Sequence, residues 1–171
     1  SPYLASLPLE VHGLHWVDPP IPLAHPLDDG SAAVLTRSYL ETAAGLGPDA
    51  QAWRRLFKPL ASNPGRTMSL ALAPPLRAAT RPLAGARFGL VALQSASRIV
   101  RRFETPAARA LFAGVAAHSV APLTTAATAG VGLVLTAAAD MVGWPIALGG
   151  SDAITPALAG LLTDLGGTIQ T

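Results

Sequence analysis

Gly143-Trp144-Pro145-Ile146-Ala147-Leu148-Gly149-Gly150-Ser151-Asp152, followed after one helical segment by Gly166-Gly167-Thr168-Ile169-Gln170-Thr171, is the stretch on which the fold class turns. Two glycine pairs bracket a segment whose Ile154, Leu158, Leu161 and Leu165 recur at helical spacing. Ser151 or Asp152 can accept the orphan N–H groups at the start of such a helix. Pro156 falls in or just past its first turn, where a missing donor costs little. Gly166 offers a left-handed stop, and Thr168 to Thr171 then reads as the beginning of a strand. The chain ends inside that strand and opens at Ser1, with no Met and no charged-then-apolar leader pattern. On this reading the sequence is expected to be an excerpt of a larger protein.

Working back from this stretch, Ala110 to Ala139 is a run of thirty residues without Asp, Glu, Lys or Arg. A membrane span needs about 20 apolar residues. Here His118, Ser119, Pro122, Thr124, Thr125 and Thr128 interrupt the run, and its apolar content is mostly Ala. A buried helix in a larger protein is the expectation. Before it, residues 51–110 hold eleven of the twelve basic residues against one acid, Glu104. Trp53, Leu56, Phe57 and Leu60 mark an amphipathic helix that Pro59 should kink or end. Pro64-Gly65 and Pro74-Pro75 break the chain. Phe88 to Phe103 reads as one longer helix, and Thr105-Pro106 as a cap with proline at the first helical position.

In residues 1–50, Asp29-Gly30 between extended segments predicts a hairpin turn. Pro19, Pro20, Pro22 and Pro26 confine their segments to sheet edges or irregular structure. Thr36 or Ser38 can cap a short helix, with Glu41 three residues beyond Ser38 completing a capping-box pattern; that helix should end at Gly45 or Gly47, and Pro48-Asp49 opens the next. The fold class read from these signals is α+β. A small antiparallel sheet (strands within 14–35) joins a mainly helical part (36–140).

Composition narrows the chemistry. Of 171 residues, 34 are Ala and 26 Leu, and charged residues make up 13%, about half of the usual ~25%. The length suits one domain with a real core. Cysteine is absent, which excludes disulfides, thiolate metal sites and thiol nucleophiles. Gly130-Val131-Gly132 begins like a dinucleotide fingerprint but lacks its third glycine and distal acid, so close helix packing is expected there. His12, His15, His25 and His118 have no metal-ligand spacing, and no metal is expected. Ser119 beside His118 is not a triad arrangement. The basic zone has no interleaved aromatic set or zinc-finger spacing, so no nucleic acid is expected as a partner. Arg98, Arg101 and Arg102 leave a peripheral contact with an anionic membrane open.

A resemblance carries more. The runs Leu111-Phe112-Ala113-Gly114-Val115-Ala116-Ala117-His118-Ser119 and Gly143 to Ser151, the closing Gly166-Gly167-Thr168-Ile169, and Trp16 to Leu35 with its Pro22-Leu23-Ala24-His25-Pro26-Leu27-Asp28-Asp29-Gly30 core resemble phytoene dehydrogenase-like FAD-dependent oxidoreductases of the amine-oxidase-type flavoprotein group. The resemblance implies a substrate domain over 1–144 and, over 145–171, the start of the return to a Rossmann-type FAD domain that is largely absent. It implies a dehydrogenase- or desaturase-like activity on an apolar small-molecule substrate, with FAD as the cofactor of the full-length protein only. This chain alone would be inactive, and the other FAD-domain segments of the parent would be its partners. It places His118, Ser119 and Trp144 as substrate-pocket candidates and Pro145, Gly149 and Gly150 near the cofactor. Individual catalytic residues stay unassigned. A cytoplasmic location, with or without membrane association, goes with it, and a homo-oligomer stays open. The competing expectation is a non-catalytic module that binds an apolar ligand or a membrane surface.

Overall fold

The computed structural model describes residues 2–62, 65, 67, 68 and 88–170. Over these the fold is α+β. In chain order the elements are α1 (Pro2–Ser6), β1 (Trp16–Val17), β2 (Leu23–Pro26), β3 (Ala32–Leu35), α2 (Tyr39–Gly45), α3 (Ala50–Ala61), α4 (Ala96–Val100), α5 (Pro106–Ala116), α6 (Thr128–Val142), β4 (Ile146–Ala147) and α7 (Ile154–Asp164). A further short helical segment covers residues 88–92. The chain divides into two compact units, one made of Ser1–Pro19 with Trp144–Thr171 and the other of Pro20–Gly143. Residues 1–19, grouped by the sequence reading with the helical part, belong to the same unit as the C-terminal segment.

In the discontinuous unit, β1 pairs antiparallel with β4, Trp16 opposite Ala147 and Val17 opposite Ile146. Strand signals within 14–35 therefore serve two separate two-stranded sheets rather than one. Leu9, Leu14, Ala147 and Ala157 form the core, and Leu4, Leu7, Ile154, Leu158 and Leu161 pack against it. Most of the α7 stripe is thus covered by the N-terminal segment of the same chain, while Leu165 stays exposed. The helix begins differently from expectation. Ser151 to Ala153 form a 3-10 turn, α7 starts after it, and neither Ser151 nor Asp152 makes a side-chain cap. Its end follows the glycine signal: Gly166 N–H donates to Thr163 O and Gly167 N–H to Leu162 O, both at 2.9 Å, with Gly166 at φ 84°. These two bonds satisfy carbonyls the helix leaves free, in a conformation that glycine adopts without a Cβ clash. The strand expected next does not form over Thr168–Gln170. A strand is defined by its ladder, and no strand among the described residues pairs with this segment.

The unit 20–143 is built on a hairpin and helices. β2 and β3 pair from Leu23 opposite Leu35 to Pro26 opposite Ala32. The turn lies where Asp28 to Gly30 predict it. Asp29 accepts from the Ser31 hydroxyl at 2.6 Å and the Ser31 N–H at 2.9 Å, and these bonds hold its carboxyl below the usual carboxylate range. Ser38 caps α2, its hydroxyl accepting from Glu41 N–H at 3.3 Å. Thr105 caps α5 from Ala108 N–H at 3.2 Å, with Pro106 at the first position. Trp53, Phe57, Phe103 and Phe112 form an aromatic core with ring centroids 4.6 to 6.4 Å apart.

Helix α3 includes Pro59 and ends two residues later, at Ala61, the proline removing one bond from its last turns. One helix boundary differs from the sequence reading. The helix expected from Phe88 to Phe103 is interrupted at residues 93–95. The carbonyls of Leu93 and Gln94 accept the N–H groups of Ala127 and Ala129, and Ser97 N–H turns to Leu123 O. The loop before α6 takes the hydrogen bonds that would have continued the helix. Pro64, Pro74-Pro75 and the cations Arg66, Arg77, Arg81 and Arg87 lie outside the described residues.

Gly130 and Gly132 serve packing, as their imperfect fingerprint implied. A Cβ at Gly132 would sit 3.1 Å from the Ala116 methyl and from the Phe112 ring, and one at Gly130 3.1 Å from Ala92 O. Substituting Gly132→Val should therefore overpack the α5–α6 contact and cost about 1–3 kcal/mol. Gly45→Ala, where nothing lies within 4 Å, should be neutral or stabilising by up to ~1 kcal/mol. Urea unfolding of the two variants measures both.

Candidate functional site

The six candidate residues fall into two sets, one in each unit. His118 and Ser119 occupy a 3-10 turn, Ala117–Ser119, that closes α5. The thirty-residue uncharged run is split here. Its polar break is the connection from α5 to α6, not an interior polar point in one long helix. His118 is exposed, and its Nδ1 lies 3.1 Å from Val115 O. With the proton on Nδ1, the ring donates to a carbonyl of the last helical turn that Ala117 N–H also approaches. Ser119 is half-buried, and its Oγ is shut from solvent with no hydrogen-bond partner. An orphaned hydroxyl is costly, which makes Ser119 the less settled member of the pair.

Trp144 follows the end of α6 and is half-buried, while Pro145 is exposed. Pro145 leads into β4, where Leu148 N–H continues the pairing to His15 O at 2.8 Å. Gly149 and Gly150 form the turn into α7 at φ 85° and 102°. Gly150 N–H closes the turn on Ala147 O at 2.9 Å. No described atom lies within 4 Å of a Cβ built at either residue. Among the described residues, backbone conformation rather than crowding accounts for this glycine pair, and both peptide units are open to solvent.

Among the described residues no group of three or more His, Asp or Glu is arranged to hold a metal ion. None of their helices is long and apolar enough to cross a membrane. The uncharged run becomes α5 and α6, of 11 and 15 residues, both shorter than the ~20 that a span requires.

Three side chains have structural roles that the sequence reading did not assign. Asp49, a helix opener by its local sequence, is 1% exposed. Its Oδ2 accepts from the Thr105 hydroxyl at 2.6 Å and the Thr105 N–H at 2.8 Å, and its Oδ1 accepts from Glu104 N–H at 2.8 Å. Burial pushes this carboxyl up. The hydrogen bonds from Thr105 and Glu104, with the Arg109 guanidinium, outweigh burial and leave it below the usual carboxylate range. Asp140 Oδ1 accepts Tyr39 N–H at 2.5 Å, a negative group at the N-terminus of α2 where the helix dipole favours it. Thr128 Oγ1 accepts Ala96 N–H at 2.8 Å. These partners lie 55, 101 and 32 residues away in sequence. The available signals were three polar residues in apolar surroundings and the need of α2, α4 and α5 for N-terminal acceptors.

No protein-family model, curated protein or solved structure matches this chain.

The Asp49 geometry fixes a pH dependence. A carboxyl whose folded pKa is depressed stabilises the fold fully above its unfolded pKa, and that stability is lost as pH falls through the lower folded value. Asp49→Asn removes the charge and puts an amide N–H₂ against backbone N–H groups that only donate. It should cost about 1.5–3 kcal/mol at neutral pH and flatten the acid limb of the stability profile. Urea midpoints measured from neutral to acid pH check both effects.

Proposed function

We propose that this chain is the substrate-domain portion of an FAD-dependent oxidoreductase, dehydrogenase- or desaturase-like, acting on an apolar small molecule. The observation that carries the reading is the chain topology. Pro20–Gly143 is a compact, mainly helical unit set between two segments, Ser1–Pro19 and Trp144–Thr171, that fold together. An inserted substrate domain in a phytoene dehydrogenase-like flavoprotein has this order, a domain interrupted by the insertion and resumed after it. The short strand that follows Trp144-Pro145, the Gly149-Gly150 turn and the helix ending at Gly166-Gly167 come in the order that the resemblance implies for the return.

In such an enzyme the flavin supplies hydride transfer, and the protein supplies binding and orientation. The residues available for those tasks are mostly apolar, as suits a pocket that holds an apolar ligand with a few orienting polar groups. His118, Ser119 and Trp144 are the candidates for that orientation. The exposed peptide groups of Gly149 and Gly150 are the candidates for backbone approach to the cofactor, and a cytoplasmic location goes with this reading. The FAD-binding segments of the parent protein are this chain's partners.

Two measurements test it. The chain alone should show no micromolar or tighter binding on FAD titration, since the nucleotide-binding turn is not among its motifs. The complete reading frame that encodes this chain should purify with flavin absorption bands and release FAD on denaturation. Tight FAD binding by the chain alone would show that its domain has been misassigned, and a flavin-free complete protein that cannot be reconstituted with FAD would overturn the function.

A further inference from the structure

We propose that the exposed surface carrying Leu90, Leu93, Arg98, Arg101 and Arg102 docks on an anionic phospholipid membrane. The proposal does not rest on the flavoprotein reading. Residues 50–103 contain ten cations and no acid, and this surface is where the described part of that stretch faces solvent with both charge and grease. Arg98, Arg101 and Arg102 are spaced i, i+3, i+4 along α4 and its C-terminal turn, which puts them on one side. Ala96, Ile99 and Phe103 are buried on the other, and all three arginines are exposed. Leu90 and Leu93 are 72% and 68% exposed. The Gln94 side chain ties the two parts together. Its Nε2 donates to Leu90 O at 2.6 Å, and its Oε1 accepts from Arg102 Nη2 at 2.8 Å. Among the described residues none of the three arginines is ion-paired with a carboxylate.

Charge complementarity calls for an anionic partner, and the aromatic residues decide which. Single-stranded nucleic acid is held by stacking on exposed rings beside the cations. Within 50–103 the aromatic side chains are Trp53, Phe57, Phe88 and Phe103. Trp53, Phe57 and Phe103 are locked in the core at 2% exposure or less, and Phe88 is half-buried. What this surface offers instead is leucine. Two protruding leucines have no use on a phosphate backbone but can enter the boundary between lipid headgroups and acyl chains while guanidinium groups bind the phosphates above them. Arginine suits that task because its planar fork grips phosphate oxygens in pairs.

Vesicle flotation of the full chain tests the proposal, with vesicles of phosphatidylcholine alone and of phosphatidylcholine mixed with phosphatidylglycerol. The chain should float with the mixed vesicles and not with the neutral ones, and its binding should fall as salt rises. Replacing Arg98, Arg101 and Arg102 together by Ala should lower affinity for the mixed vesicles roughly a hundredfold. The corresponding triple Lys variant should keep most of the binding, which separates lost charge from lost folding. Leu90→Ser with Leu93→Ser should remove the fraction that survives high salt. Equal flotation on neutral vesicles would overturn the proposal, as would an unaltered triple Ala variant, a salt-resistant fraction unchanged in the Leu variant, or retention on DNA without flotation. Flotation has no flavin readout. Failure here leaves the flavoprotein reading standing, and a flavin-free parent protein leaves this one standing.

Discussion

The helical unit depends on one buried carboxylate. Asp49 sits between α2 and α3, and its two oxygens take three hydrogen bonds from Glu104 and Thr105 at the entrance to α5. Helices rich in Ala and Leu bury methyl groups of nearly one size, and contacts of that kind discriminate poorly between neighbouring registers. A charge-assisted hydrogen bond is short and directional, so it fixes which turn of one helix meets which turn of another. Asp140 and Thr128 act alike at the starts of α2 and α4. In all three cases a side chain from a distant element supplies an acceptor for backbone donors that a helix start leaves orphaned. These polar anchors set the register in which the Trp53, Phe57, Phe103 and Phe112 rings then pack.

This division explains which features could be read from the sequence. Ser38 before α2, Thr105-Pro106 before α5, the Asp28–Gly30 turn and the Gly166 stop are local. Each is decided by groups within a few residues, and each is where the sequence places it. The crowding at Gly130 and Gly132 was legible because their fingerprint is incomplete in a definite way. What failed was non-local. Nothing near Trp16 announces Ala147 as its partner, and nothing near Leu93 announces that a loop thirty-odd residues later will take its carbonyl. Thr168–Gln170 has the composition of a strand, but composition cannot provide the neighbour that makes one. The candidate site shows the same limit. Its residue types could be picked out, yet whether His118 interrupts a buried helix or ends one depends on where the chain turns, and it turns at His118.

The aromatic core and the proposed membrane face are two outcomes of one allocation. The basic stretch has few large side chains, and the α3–α5 core takes Trp53, Phe57 and Phe103 out of solvent. That leaves arginine stems and a pair of leucines as the material of the outer face. A surface so composed is poor at stacking and good at interfacial insertion. Its partner preference follows from what the core has already used, not from the number of positive charges. Ser119 Oγ, His25 Nε2, Trp53 Nε1 and Thr136 Oγ1 are sealed from solvent without hydrogen-bond partners, and His25 is pressed against α5 at Gly114, where a Cβ would overlap its ring. Each of these atoms is a hydrogen-bonding group left without a partner inside the protein, which costs stability until something supplies one.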